Sequence, residues 1–206
     1  MNIEARKCEI TLVVDSGIGK TTIMFSLTNN RTDLNIVVPT IGFEYGSTLI
    51  HNDGIFSRVS IFDLSGNSIY KSIISTYFID KDGLILAFNL NSVNSFSNLQ
   101  EWINLAKCHI DSKKPMYLIG IQIENQDKKI NLELIDLFVI ETGIEMYKEV
   151  NIANHKNLRN AFVEIIRDVM NKFPLEEIDL KYTDKDKLIE RVSNNQCCNV
   201  QCCNVQ

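Results

Sequence analysis

The chain has 206 residues, 45% of them hydrophobic, with 21 Lys and Arg against 26 Asp and Glu and a formal net charge of −5. That length fills one domain and leaves a tail. The acidic balance removes the electrostatic case for a nucleic-acid partner. No run reaches the length of a transmembrane helix, and the N-terminus lacks a signal-peptide pattern, so a cytosolic domain is expected.

The first predicted strand, 8–14, contains Cys8-Glu9-Ile10-Thr11-Leu12-Val13. It leads into Val14-Asp15-Ser16-Gly17-Ile18-Gly19-Lys20-Thr21, which fits the phosphate-loop pattern G-x-x-x-x-G-K-[ST] with Val14 in place of the first glycine. In such a loop backbone N–H groups curl around phosphate oxygens, Lys20 reaches the outer phosphates and Thr21 offers its hydroxyl to magnesium. A glycine-rich turn without a ligand gives no reason for Lys and Thr to follow Gly19. The missing glycine falls at a strand end that many residues tolerate, whereas Gly17 and Gly19 stand where close phosphate approach is needed.

A helix is expected over 20–29, then strands over 42–51 and 55–62 joined at His51-Asn52-Asp53-Gly54, a hairpin turn. Further on, helices are predicted at 68–77, 93–108, 131–141 and 156–172, and strands at 83–89, 115–121 and 145–150. Leu158, Phe162, Ile165 and Val169 recur at helical spacing and mark a core-facing stripe. The alternation predicts an α/β sheet, mostly parallel, with the antiparallel hairpin at one edge and helices on both faces. Cys8 and Cys108 lie in apolar segments and are expected to be reduced core thiols. Beyond Pro174 the periodicity stops, and 173–196 reads as a flexible tether whose charges nearly cancel.

Four features in order resemble the Ras-superfamily small GTPases, and the Rab branch in particular. They are the phosphate loop, Pro39-Thr40-Ile41-Gly42-Phe43-Glu44-Tyr45 (similar to switch I), Phe62-Asp63-Leu64-Ser65-Gly66-Asn67 (similar to switch II) and a cysteine-paired C-terminus. The resemblance implies a P-loop GTPase domain over 1–172 with a six-stranded, mostly parallel sheet. It also implies GTP/GDP and Mg2+ as ligands. Asp15, Ser16, Gly17, Ile18, Gly19, Lys20, Thr21 and Thr22 would line the phosphates, and Thr21, Thr40 and Asp63 would serve the metal. The backbone N–H groups of Thr40 and Gly66 would touch the γ-phosphate, so that hydrolysis releases both loops. Tyr45, Phe62 and Tyr77 match the aromatic positions that effectors read across the switches. Exchange factor, GTPase-activating protein, effectors and prenyl-chaperone machinery are the partners so implied. The implied place is the cytoplasmic face of intracellular membranes, with a cytosolic pool.

Departures from the family fall on catalysis and base recognition. Asn67 replaces the water-orienting glutamine on a stem one carbon shorter. A displacement of about 1 Å can cost on the order of 100-fold, so slow hydrolysis is expected. Where the guanine-reading N-K-x-D motif belongs, the chain has Ile121-Gln122-Ile123-Glu124. Gln122 would cover the base face in part, and Glu124 would supply the carboxylate on a longer arm. The last base motif aligns with Asn151-Ile152-Ala153, leaving the Ile152 backbone N–H as donor, and Leu27 stands at the base-stacking position. Each lost base contact costs about 1–3 kcal/mol, which predicts weakened or relaxed base choice. A pseudo-GTPase binding module without turnover is therefore the alternative.

Four of the six cysteines fall in the last ten residues, in the twice-repeated block Cys-Cys-Asn-Val-Gln. Cys202 and Cys203 resemble a Rab double-prenylation site, and two chains anchor stably where one gives marginal binding. Competing readings are a C-a-a-X box on Cys203, a metal site and disulfides. Asn204 is a poor aliphatic residue for the first, and the spacing is wrong for the second. A cytosolic compartment disfavours the third.

Overall fold

A computed structural model of the chain describes residues 4–13, 23, 43–52, 55–64, 75–123, 127–172 and 177–179. Its strands are β1 (Glu4–Val13), β2 (Phe43–Asn52), β3 (Ile55–Leu64), β4 (Gly83–Asn89), β5 (Met116–Gln122), β6 (Met146–Asn151) and β7 (Glu177–Asp179). Its helices are α1 (Val93–Ser97), α2 (Leu99–Lys107), α3 (Leu132–Thr142) and α4 (His155–Lys172).

The sheet runs β2-β3-β1-β4-β5-β6. Only the β2–β3 hairpin on this path is antiparallel, and every other neighbouring pair is parallel. This is the mostly parallel sheet with an antiparallel edge strand that the alternation of elements predicts. The central strands are covered on both faces. In β4, Gly83 through Phe88 are all buried, and in β5 Met116 through Ile121 are. Side-chain alternation divides the two coverings. On one face the Tyr117 hydroxyl donates to Asp168 Oδ2 of α4 at 2.8 Å. On the other, Phe88 meets Phe96 of α1 edge-on at 5.1 Å, and Phe96 meets Phe138 of α3 at 5.1 Å.

The expected stripe of α4 is the one buried: Leu158, Phe162, Ile165 and Val169 are each at most 1% exposed. Burying each contributes roughly 1.5–3 kcal/mol. Lys172 ties the end of this helix to Glu145 at 2.8 Å and Asp168 at 3.0 Å. Burial disfavours the Lys172 charge, but the two carboxylates outweigh it and raise its pKa overall. α3 is delimited as its ends dictate. The Asn131 side chain accepts from Leu134 N at 2.9 Å, and Gly143 closes the helix at φ 75°, a left-handed cap that favours glycine.

Four differences from expectation have local causes. The single helix expected over 93–108 is two, broken at Asn98, which ends α1 and begins α2. Cys108 is exposed, whereas Cys8 is buried as expected. The apolar stripe of α2 ends with Ala106, and Cys108 lies past it as the helix cap. Of the helix expected at 68–77, only the end is described, and there Ser75–Phe78 make a 3₁₀ turn. Finally, a seventh strand stands inside the stretch expected to be a tether. β4 begins only opposite Ile10, so the lower half of β1 has an open edge on that side. β7 fills it antiparallel, pairing Glu4 with Asp179 and Arg6 with Glu177.

Candidate functional site

Parallel strands end at one edge of the sheet, the place where open α/β folds bind ligands. Here that edge collects the ends of β1, β3, β4, β5 and β6. Val13 closes β1 and is fully buried, and Ile23, helical, is also fully buried. The predicted phosphate loop, Asp15 through Thr22, falls between them in sequence and lies outside the described residues. So do Leu27, Thr40, Gly66, Asn67, Glu124, Cys202 and Cys203.

Asp63 is placed in β3, in register with Leu12 of β1. Its backbone is thus one strand away from the point where the phosphate loop begins. The donors assembled by the motifs are the hydroxyls of Thr21 and Thr40 and the carboxylate of Asp63. All are hard oxygens, the donor chemistry magnesium takes. Among the described residues there is no cluster of three His, Cys, Asp or Glu that could hold a metal by itself.

The base-reading candidates meet at the ends of β5 and β6. Gln122 pairs with Asn151 across the strands, and the Ile152 N–H donates to the Gln122 carbonyl at 3.4 Å. The N–H expected to face a base thus already has a backbone acceptor. Asn151 is occupied in shaping its own turn, its Oδ1 accepting from Ala153 N at 2.9 Å. Ile121 is 0% exposed and part of the apolar core. Its side chain offers no hydrogen bond to a base, and its backbone carbonyl already accepts from Leu90 N at 3.0 Å.

One residue of this corner gave no sequence signal. Asn91 is buried, and its Nδ2 donates to the Asp127 carbonyl at 2.7 Å while its Oδ1 accepts from Ile123 N at 3.4 Å. It grips both sides of the loop that carries Glu124. Lys129 N adds a bond to the Leu90 carbonyl at 2.8 Å.

Tyr45, Phe62 and Tyr77 come together near the β2 edge. Tyr45 and Phe62 are cross-strand partners with rings edge-on at 5.4 Å, and Phe62 lies 6.3 Å from Tyr77. Tyr45 is 55% exposed, while the other two are half-buried. Thr11 Oγ1 donates to the Tyr77 carbonyl at 2.9 Å and pins that ring's backbone to β1. The cluster contains a cation the motifs did not announce: Lys81 Nζ lies 4.1 Å from the Phe62 ring centroid.

The model of the Ras family matches residues 9–171 of this chain. Ras-related protein Rab-8B of Homo sapiens is 26% identical over 165 residues, covering 80% of this chain and 79% of that protein. Ras-related protein Rab-10 of Diplobatis ommata is 22% identical over 191 residues, covering 93% and 95%. Ras-related protein Rab-8A of Rattus norvegicus is 25% identical over 165 residues. With that match spanning most of the chain, from the first strand through the last helix, and laid over a sheet of the expected order, the chain belongs to the Ras family and is a divergent, Rab-like small GTPase.

Proposed function

We propose that this protein is a membrane-attached GTP-binding switch in vesicle traffic that hydrolyses GTP slowly. The observation that supports the reading is the Leu12–Asp63 register: β3, which leads into the switch II motif, runs beside β1, which leads in sequence into the phosphate-loop motif. Lys20 and the loop N–H groups would hold the phosphates, and Thr21, Thr40 and Asp63 would hold magnesium. Bound there, the ion would neutralise charge on the outer phosphates. Gly66 would sense the γ-phosphate, and Asn67 would orient water on too short a stem. The Tyr45–Phe62–Tyr77 cluster would be the face read by effectors. Cys202 and Cys203 would carry two prenyl groups, which the nearly neutral tether requires because it offers no basic patch as a second anchor.

The deciding experiment is to identify the nucleotide extracted from the purified protein and measure its turnover. GTP or GDP at full stoichiometry with measurable hydrolysis supports the switch. An empty site, or no turnover, supports the alternative of a prenyl-anchored pseudo-GTPase module, which the burial of Ile121 in an apolar core favours. Intact mass of the protein from a eukaryotic host counts the prenyl groups, and an unshifted mass would remove the anchor.

A further inference from the structure

α3 is unusual for a surface helix. Its sequence, Leu132-Glu133-Leu134-Ile135-Asp136-Leu137-Phe138-Val139-Ile140-Glu141-Thr142, contains seven apolar side chains, but only Ile135 among them is buried. Phe138 and Val139 are half-buried against the domain. The rest face outward: Leu132 is 60% exposed, Leu134 46%, Leu137 59% and Ile140 77%. Leu134, Leu137 and Ile140 follow one another at intervals of three and form a single ridge across the helix. Isolated exposed apolar residues need no explanation, but a contiguous row of them marks an interaction site.

The charges on the same face are of one sign. Glu133, Asp136 and Glu141 are interleaved with the apolar row, and the helix has no basic residue. Among the described residues none of the three carboxylates forms a salt bridge. The nearby Lys107 donates instead to the Thr142 carbonyl at 3.1 Å. The helix packs through Phe138 on Phe96, which meets Phe88 of β4, while Tyr45 and Phe62 of the aromatic cluster lie on β2 and β3 at the far edge of the sheet. The two faces can therefore be occupied together.

We propose that the outer face of α3 is a second docking surface, which takes an amphipathic helix of a partner protein whose apolar stripe is flanked by Lys or Arg. Complementary charge selects this occupant. A second copy of the chain would set Glu133, Asp136 and Glu141 against the same three carboxylates, and an anionic bilayer would repel them. A helix ridge packs into the groove of another helix, and α3 offers about 16 Å of length for it.

The test uses the full chain and two synthetic peptides, each of about 18 residues, with leucines at helical spacing and either lysine or glutamate flanks. In fluorescence anisotropy the lysine peptide binds with a micromolar Kd that weakens as salt rises, and the glutamate peptide binds about 10-fold or more weakly. Leu137→Ser with Ile140→Ser weakens the lysine peptide about 10-fold, and the isosteric Glu133→Gln, Asp136→Asn and Glu141→Gln set flattens the salt dependence. These residues are exposed, so the variants keep the parent melting temperature. Equal binding of both peptides, or indifference to either set, overturns the proposal. So does concentration-dependent dimerisation that Leu137→Ser with Ile140→Ser abolishes, which assigns the face to a second copy. Adsorption to phosphatidylcholine–phosphatidylserine vesicles lost in the same variant assigns it to a bilayer and overturns it equally.

Discussion

Lys81 Nζ sits 4.1 Å from the centre of the Phe62 ring and 3.1 Å from Glu9 Oε2. The ammonium therefore joins the edge of the aromatic cluster to the first strand. Burial alone would raise the Glu9 pKa, but its bonds to Lys81 and Lys7 win and lower it below the ordinary 4.5. A carboxylate with a depressed folded-state pKa stabilises the protein above its unfolded value, and that contribution is lost as pH falls through the folded value. Glu9→Gln is thus expected to be less stable at pH 7 by about 0.5 kcal/mol, a modest figure because the pair is partly solvent-screened. The difference from the parent shrinks at pH 3. Urea melts at both pH values check this, and a gap independent of pH would show that the charge is not responsible.

Gly120 is required by its neighbour. A Cβ there would overlap the Tyr147 hydroxyl oxygen and lie 3.1 Å from two ring carbons. Gly120→Ala is expected to cost about 1–3 kcal/mol through overpacking. Among the described residues the Tyr147 hydroxyl is buried without a hydrogen-bond partner, so Tyr147→Phe should be neutral or slightly stabilising. Combined with Gly120→Ala it should recover part of the loss, because the shortest contact disappears. Thermal melts of the two single variants and the double variant measure the coupling.

Asn91 should act through the loop it grips. Asn91→Ala removes a bond to the Asp127 carbonyl and one from Ile123 N, and leaves those backbone groups without it. We expect it to weaken guanine-nucleotide binding about 10-fold by loosening Glu124, with little change in the affinity for inorganic triphosphate. A parallel loss for both ligands would mean that the domain itself has been damaged.

The buried Ile121 predicts relaxed base choice. Competition of GDP and ADP against a fluorescent GDP analogue should show discrimination well below that of a site with intact polar contacts, within about 100-fold. Strong rejection of ADP at nanomolar GDP affinity would contradict this.

Turnover should respond to one methylene. Asn67→Gln is expected to raise single-turnover GTP hydrolysis by at least about 10-fold, without changing nucleotide affinity. An unchanged rate would mean that Asn67 is not what limits the reaction.

Strands were the most legible part of the chain. The runs of β4 and β5 are apolar because both faces are covered, and a continuous apolar run reads the same in either setting. The stripe of α4 was legible because one face is buried and the spacing shows it. The phosphate-loop and switch motifs made the family legible, since backbone-bound phosphates and hard oxygen donors demand particular residues at fixed intervals, and the Ras family model matches residues 9–171.

What the tertiary structure decided are contacts between residues distant in sequence. Lys81 reaches Glu9 across 72 positions, and Asn91 reaches Asp127 across 36. Nothing in either local pattern requires those partners. β7 exists because β4 starts too late to cover the foot of β1, a matter of register that three residues of sequence do not disclose. On α3 the sequence determines that the helix is apolar nearly all round. Only packing decides that one side meets Phe96 and the core while Leu134, Leu137 and Ile140 are left outward. Hydrophobicity sets how much surface a helix would bury, and the neighbours available on each side set how much of it is buried within the domain.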